Sequence, residues 1–269
     1  MIMPNKRIQD FWNSRARLDK ISGTDDFPLK KLELDLILKK IPSGASVLDI
    51  GCGNGETLIR LCREKGCTGV GVDFSQEMIN LAVAAGKKAG CADKLKFQAG
   101  AIPGLSKDLG EFDCVLTERS LINLDSEATQ KKAFQEIISH LKPRSCYLMI
   151  ESFIQGLQRT NQLREMLGLE KIAVPWHNVF LDETAVASWA GPECLLREVI
   201  PFSSTYHFLS RVVYARLAAD KGEKLRYDSD INMLSLKLPV IGDFGPVRLW
   251  LWQRVSSVRK NALKRKKRA

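Results

Sequence analysis

The side chains in this 269-residue chain that could act on a substrate fall in four short stretches. Trp176-His177-Asn178 sets an indole, an imidazole and an amide side by side. The indole offers a flat face, the amide a hydrogen bond, and the imidazole a base that titrates near neutrality. Such a trio suits a sugar or ring acceptor. With only three histidines in the chain, His177 is the first choice for the base, although a lone histidine is more often a structural hydrogen-bonder. Glu118-Arg119 can supply a second base and a grip for an anion, or the two can form an internal ion pair. Tyr206, His207 and Arg211 come third. Four-residue spacing puts His207 and Arg211 on one helical face, to bind an acidic acceptor or simply to meet solvent. The fourth set is two acids, Asp49 and Asp73, each closing an apolar run. His140 ends a surface helix and is expected to be structural.

The elements that must carry these residues are legible around the acids. Val47-Leu48-Asp49-Ile50 reads as a buried strand, and Gly51-Cys52-Gly53-Asn54-Gly55 follows it as a loop. Leu58, Leu61 and Cys62 then recur at helical spacing over residues 56–65. Strand, glycine loop and helix open a ligand-binding α/β fold, because glycines let backbone approach a ligand closely. A dinucleotide loop requires its third glycine where this chain has Glu56, a bulky acid ill placed beside a pyrophosphate. That argues against a nicotinamide enzyme. A second strand, residues 67–73, ends in Asp73, which stands 22 residues after Gly51. That is close to the spacing of roughly 20 at which a ribose-binding acid follows such a loop.

Together these features resemble motifs I and II of the class I S-adenosylmethionine (SAM) methyltransferases. The resemblance implies a seven-stranded, mostly parallel, doubly wound α/β sheet whose elaborated C-terminal half forms an acceptor lid. It implies SAM as cofactor, with S-adenosylhomocysteine as product. The expected cofactor residues are Asp49, Gly51, Cys52, Gly53, Gly55, Asp73, Phe74, Met78, Ala101, Ile102, Thr117 and Arg15. Relatives often carry an acid for the adenine amino group where this chain has Ala101, so adenine contacts fall to backbone and Ile102. Phe112 to Leu116 resembles motif IV. The Asn/Asp-Pro-Pro-Tyr segment of many amino-group methyltransferases is absent after it, which favours transfer to oxygen. Expected catalytic residues are His177 and Glu118. Arg119, Trp176, Asn178, Tyr206, His207 and Arg211 are expected to bind the acceptor.

The remaining elements follow in order. Residues 9–16 form a helix over the cofactor, with Phe11 and Trp12 as core candidates, and a loop at 21–27 follows. Pro28 starts a helix, and a further helix after Ser75 has Met78, Leu81, Ala82 and Ala85 inward. Strands are expected at 94–98, 112–116, 146–151, 194–200 and 247–252, the last antiparallel. Helices are expected at 126–141, 157–169, 183–190 and 206–219, with 175–181 a short aromatic strand or loop. The domain is expected to span 1–253, with a cofactor half at 28–152 and an acceptor region at 153–246.

The formal charge of +10 belongs to one place. From Arg254 onward there are eight Lys or Arg and no acid, which leaves 33 basic against 31 acidic residues elsewhere. Such a tail is a solubilising disordered end, or a holder for RNA or an anionic membrane surface. The seven cysteines are irregularly spaced and fit neither a disulfide framework nor a metal cluster. No apolar run reaches membrane-spanning length, and residues 1–10 lack the apolar core of a secretory signal. A reduced, cytoplasmic protein is the expectation, with no metal and a small-molecule or glycan acceptor. The alternatives are an RNA methyltransferase that uses the tail, and a SAM-binding module without turnover.

Overall fold

The computed structural model describes residues 6–18 and 24–255. Its centre is a seven-stranded sheet in the order β3-β2-β1-β4-β5-β7-β6. The strands are β1 (Ser46–Ile50), β2 (Thr68–Asp73), β3 (Leu95–Ala99), β4 (Phe112–Glu118), β5 (Leu141–Ser152), β6 (Cys194–Ile200) and β7 (Val247–Arg254). β1 to β5 are mutually parallel, whereas β7 runs antiparallel to both β5 and β6. The chain reverses direction in the sheet between β1 and β4, so the carboxyl ends of β1, β2 and β4 surround one crevice.

Helices cover both faces. α2 (Phe27–Lys40), α3 (Glu56–Lys65) and α4 (Gln76–Lys88) lie on one, and α5 (Glu127–Ser139) with α7 (Glu183–Trp189) on the other. α1 (Lys6–Ala16) precedes them, and α6 (Ile154–Met166) follows β5. Their starts are written locally. The Asp26 side chain accepts from Leu29 N to open α2, Ser75 accepts from Met78 N to open α4, and Ser126 accepts from Thr129 N to open α5. Gly66, left-handed at φ 68°, closes α3 where another residue would be strained.

β7 shows how one strand serves both cores. Val247 and Leu249 enter the core with α2 and α3, while Trp250 and Trp252 enter the core with α5. Trp252 meets Phe134 edge-on at 5.0 Å, and Trp250 stacks on Phe153 at 5.1 Å. Pairs of this kind add about 0.5–1.5 kcal/mol beyond the area they bury.

Several boundaries differ from expectation. Arg254 ends β7 and pairs with Glu111 at 2.7 Å, so it belongs to the sheet and not to the tail. The remainder of the tail, from residue 256, lies outside the described residues, as do residues 19–23, including the start of the expected 21–27 loop. Residues 175–181 form a loop tied to the sheet by a single bridge between Leu181 and Phe153. The expected helix at 206–219 is α8 (Ser204–Phe208), a π-turn at Leu209–Val213, and α9 (Tyr214–Lys221). α10 (Asp230–Ser235) was not foreseen. Among the described residues no helix is long and apolar enough to cross a membrane.

Candidate functional site

A cavity of about 1190 Å³ opens at the carboxyl ends of β1, β2 and β4. The loop after β1 forms its floor. Gly51 N and Cys52 N both donate to Val72 O, at 2.7 and 3.1 Å, which folds the loop over the end of β2. Gly51 has φ 76°, and a Cβ there would lie 2.1 Å from Ser120 Oγ, so no other residue fits. Asp73 braces the loop from the next strand, its two oxygens accepting from Gly53 N and Ser75 N at 2.9 Å each. Each oxygen keeps a lone pair for a further donor. Burial lifts the Asp73 carboxyl above the ordinary range, and its backbone donors offset part of that rise.

A charged wall stands beside the floor. Lys30 of α2 contacts Glu118 at 2.6 Å and the Thr57 hydroxyl at 3.0 Å. Burial opposes ionisation of Glu118, but Lys30 outweighs it and holds the carboxyl below its usual range. Arg119, at φ 54°, reaches back to Glu33 of α2 at 3.1 Å. Each of the adjacent residues Glu118 and Arg119 is therefore crossed to a partner on α2 and not paired with the other. Asp49 sits beneath, buried, with Oδ2 lacking a hydrogen-bond partner. Burial, then repulsion from Glu118 and Asp73, push its carboxyl well up.

Aromatic rings close the opposite side. His177 stacks on Phe11 of α1, with centroids 4.3 Å apart and planes at 27°. Trp12 and Trp176 meet the imidazole edge-on, and the Arg7 guanidinium lies 4.2 Å over Trp176. Asn123 Oδ1 accepts from both Trp12 Nε1 and Asn178 Nδ2, at 3.2 Å each, which joins α1, the post-β4 turn and the 175–181 loop. His177 Nδ1 is buried without a partner. Burial and the charge of Arg15 hold the ring below its usual pKa, so it is neutral at pH 7.

Gly51, Cys52, Gly53, Asp73, Phe74, Met78, Ala101, Ile102, Glu118, Arg119, His177 and Asn178 all line this cavity. Thr117 does not. It is buried behind the wall, with its hydroxyl 2.8 Å from Tyr147 Oη. Gly55 starts α3 against the Phe97 ring. Trp176 stands exposed at the rim.

The expected acceptor grip of Tyr206, His207 and Arg211 has other partners. Tyr206 Oη donates to Asp26 Oδ1 at 2.5 Å, and Arg211 pairs with Asp26 Oδ2 at 2.6 Å. His207 is buried against Ser203 O at 3.0 Å, and burial together with Arg211 drives its pKa to about 4. Tyr206 and Arg211 fasten the stretch between β6 and β7 to the N-terminus of α2, whereas His207 bonds back to the residue that precedes its own helix. Within residues 153–246, His177 and Asn178 are the residues that line the cavity, so the expected lid narrows to their loop and α1.

Sequence reasoning missed four participants. Lys30 and Glu33 read as the polar side of α2, and Asn123 as part of a turn. Glu151, at the end of β5, accepts from Ser120 N and Leu121 N at 3.0 Å each and thereby shapes the turn after β4. Its burial raises the carboxyl to about 7. Long-range pairing leaves no local signal, although an acid inside an apolar strand such as Glu151 is a cue. Among the described residues no cluster of His, Cys, Asp or Glu is suited to a metal.

Comparison with known proteins agrees with this geometry. Residues 47–144 match the family model described as a methyltransferase domain. Demethylmenaquinone methyltransferase of Lactococcus lactis is 30% identical over 152 residues, covering 55% of this chain and 59% of that protein. Ubiquinone biosynthesis O-methyltransferase of Coxiella burnetii is 30% identical over 107 residues, covering 40% of this chain and 43% of that protein. The alignments thus span little more than half, at most, of these relatives' lengths. Magnesium protoporphyrin IX methyltransferase of Synechocystis, solved with bound S-adenosylhomocysteine, superposes with a TM-score of 0.59 at 15% identity. That superposition covers 93% of this chain and 99% of the other.

The residues present fit SAM, the cofactor of this family. The cavity offers glycine backbone and a bracing acid at Asp73, while Asp49, expected beside the cofactor, is buried beneath the loop and outside the cavity lining, its Oδ2 without a hydrogen-bond partner. Residues 47–144 thus match a methyltransferase domain, and the whole chain has the fold of the class I SAM-dependent methyltransferases.

Proposed function

We propose that the protein transfers a methyl group to an oxygen of a small polar acceptor, a sugar, polysaccharide end or other ring-bearing small molecule. The observation that carries this reading is one cavity walled on one side by the glycine loop and Asp73, and on the other by Trp12, His177 and Asn178. SAM supplies the transferable methyl as an electrophilic carbon on a sulfonium. The chain's own contribution is alignment, which can provide most of the acceleration of such a displacement. Gly51 to Asn54, Asp73, Phe74 and Met78 hold the cofactor side. Trp12 and Asn178 orient the acceptor. His177, neutral at pH 7, keeps one ring nitrogen unprotonated, and that nitrogen takes the hydroxyl proton as the oxygen attacks. Glu118 is a fixed negative charge in the wall, because Lys30 makes it a poor proton acceptor. The names of the relatives, one for demethylmenaquinone and one for an O-methylation in ubiquinone biosynthesis, favour a small molecule over RNA.

The test uses SAM with a labelled methyl group, incubated with the protein and a cell extract that is then separated into small molecules, glycans, RNA and protein. Asp73→Ala is the blank. Label in the small-molecule or glycan fraction supports the proposal. Label in RNA overturns it in favour of a tail-assisted RNA methyltransferase. Cofactor binding without label in any fraction leaves a binding module.

A further inference from the structure

The stretch between β6 and β7, residues 201–246, carries a surface with its polarity reversed. Between residues 229 and 241 the buried side chains are polar: Ser229, Asn232 and Ser235 are 1–6% exposed. Most of the exposed ones are apolar: Met233, Leu234, Leu238, Val240 and Ile241 are 41–55% exposed, with Asp230 and Lys237 the exposed charges among them. Scattered exposed leucines are ordinary, but a segment that hides its amides and hydroxyls and presents its aliphatics is not.

Hydrogen bonds from the buried polar groups anchor this segment. Ser229 caps α10 through Asn232 N, and Asn232 Nδ2 donates to Arg226 O and Tyr227 O. Thr205 Oγ1 donates to Pro239 O and accepts from Ile241 N, at 2.7 and 2.8 Å, while Ser204 Oγ donates to Ile241 O at 2.6 Å. Backbone is thus bolted to α8 while Leu238, Val240 and Ile241 face outward. The same region adjoins the cavity mouth: Arg211 lies 5.2 Å from the Tyr227 ring centroid and pairs with Asp26, and Phe27, next in the chain, lines the cavity.

We infer that this face docks on an anionic lipid surface, with its aliphatic side chains entering the headgroup layer. Charge selects that occupant. The segment's own charges nearly balance, Lys221, Lys224, Arg226 and Lys237 against Glu223, Asp228 and Asp230. The 14 residues after Val255, however, hold seven Lys or Arg and no acid. Extended, they reach about 45 Å, whereas β7, at whose far end they start, is about 27 Å long. The basic stretch can therefore touch the same surface as the apolar face. An apolar contact and a polybasic one together make the two signals that stable membrane binding requires.

The experiment is sedimentation of the full chain with vesicles of phosphatidylcholine alone, or of phosphatidylcholine and phosphatidylglycerol in equal parts. Wild type is expected to partition onto the mixed vesicles and hardly onto the neutral ones. The triple variant Leu234→Ser, Val240→Ser, Ile241→Ser is expected to lose roughly tenfold or more in partition constant. A tail variant, Lys264→Gln with Arg265→Gln, Lys266→Gln and Lys267→Gln, is expected to lose the salt-dependent part. Thermal unfolding and S-adenosylhomocysteine binding report that the variants remain folded. Unchanged partition of the triple variant overturns the inference, as does failure of wild type to bind mixed vesicles at low salt. A wild-type dimer abolished by the triple variant overturns it in favour of a second copy of the chain. Binding to RNA without binding to vesicles overturns it as well.

Discussion

Lys30 and Glu118, 88 residues apart, meet at 2.6 Å in the cavity wall, and each shifts the other toward its charged form. The pair matters for stability because both groups are largely withdrawn from water. Lys30→Met leaves Glu118 buried without its partner, a loss expected to cost about 3 kcal/mol in urea unfolding. Glu118 has a depressed pKa, so its contribution is present above the ordinary carboxylate pKa and is lost as pH falls through the folded value. The deficit of the variant should therefore shrink in acid. A deficit independent of pH would assign the loss to packing of the lysine stem.

The imidazole of His177 makes a separate prediction, about rate. Burial and Arg15 keep it neutral, so the apparent pKa for activity, and the ring's titration by NMR, should both lie below 6.5. Activity should rise through that pKa and level off at neutral pH. His177→Gln should lower kcat by about 10²- to 10⁴-fold while S-adenosylhomocysteine affinity changes little. An equal loss at every pH, without the acid limb in wild type, would leave His177 only its stacking role on Phe11.

Much of the fold was legible because it is written in short range. Glycine spacing after Ile50, apolar runs and helix caps located β1, α3, α4 and β6 within a residue or two. Gly51 to Gly53 and Asp73 could be placed in one crevice because strand ends and the crossover order dictate it. The charged wall was not legible. Lys30 lies in a helix whose sequence gives no hint that it crosses to Glu118, and Glu33 looks like any surface acid until α2 turns it inward. The helical spacing of His207 and Arg211 was sound, but spacing does not say what a face meets. Here the π-turn at Leu209–Val213 presents Arg211 to Asp26 and away from the cavity.

That relation gives a third prediction. Arg211 pairs with the carboxylate that also caps α2, so Arg211→Met removes the charge partner and loosens the cap together. A loss of about 2 kcal/mol is expected, with unfolding followed by urea. Acceptor preference should be unchanged, because the side chain lies outside the cavity lining. A change in which acceptors are methylated, without loss of stability, would return Arg211 to the acceptor site.

Glu151 supplies the last prediction, and its sign differs from that of Glu118. Burial raises its carboxyl to about 7, although the amides of Leu121, Ser120 and Ile122 pull the other way. An acid with a raised folded pKa binds its proton more tightly folded than unfolded. Its protonation therefore stabilises the fold, most strongly below the ordinary carboxylate pKa, and that contribution fades as pH rises to about 7. Glu151→Gln keeps an oxygen to accept from Ser120 N and Leu121 N and cannot ionise. Relative to wild type, the variant should gain stability steadily between the ordinary glutamate range and pH of about 7, then hold that gain at higher pH. Urea midpoints of both proteins across that range measure the difference, and subtraction removes the other titrating groups. A flat difference would mean that Glu151 is already ionised throughout, held as a carboxylate by the three amides that shape the turn after β4.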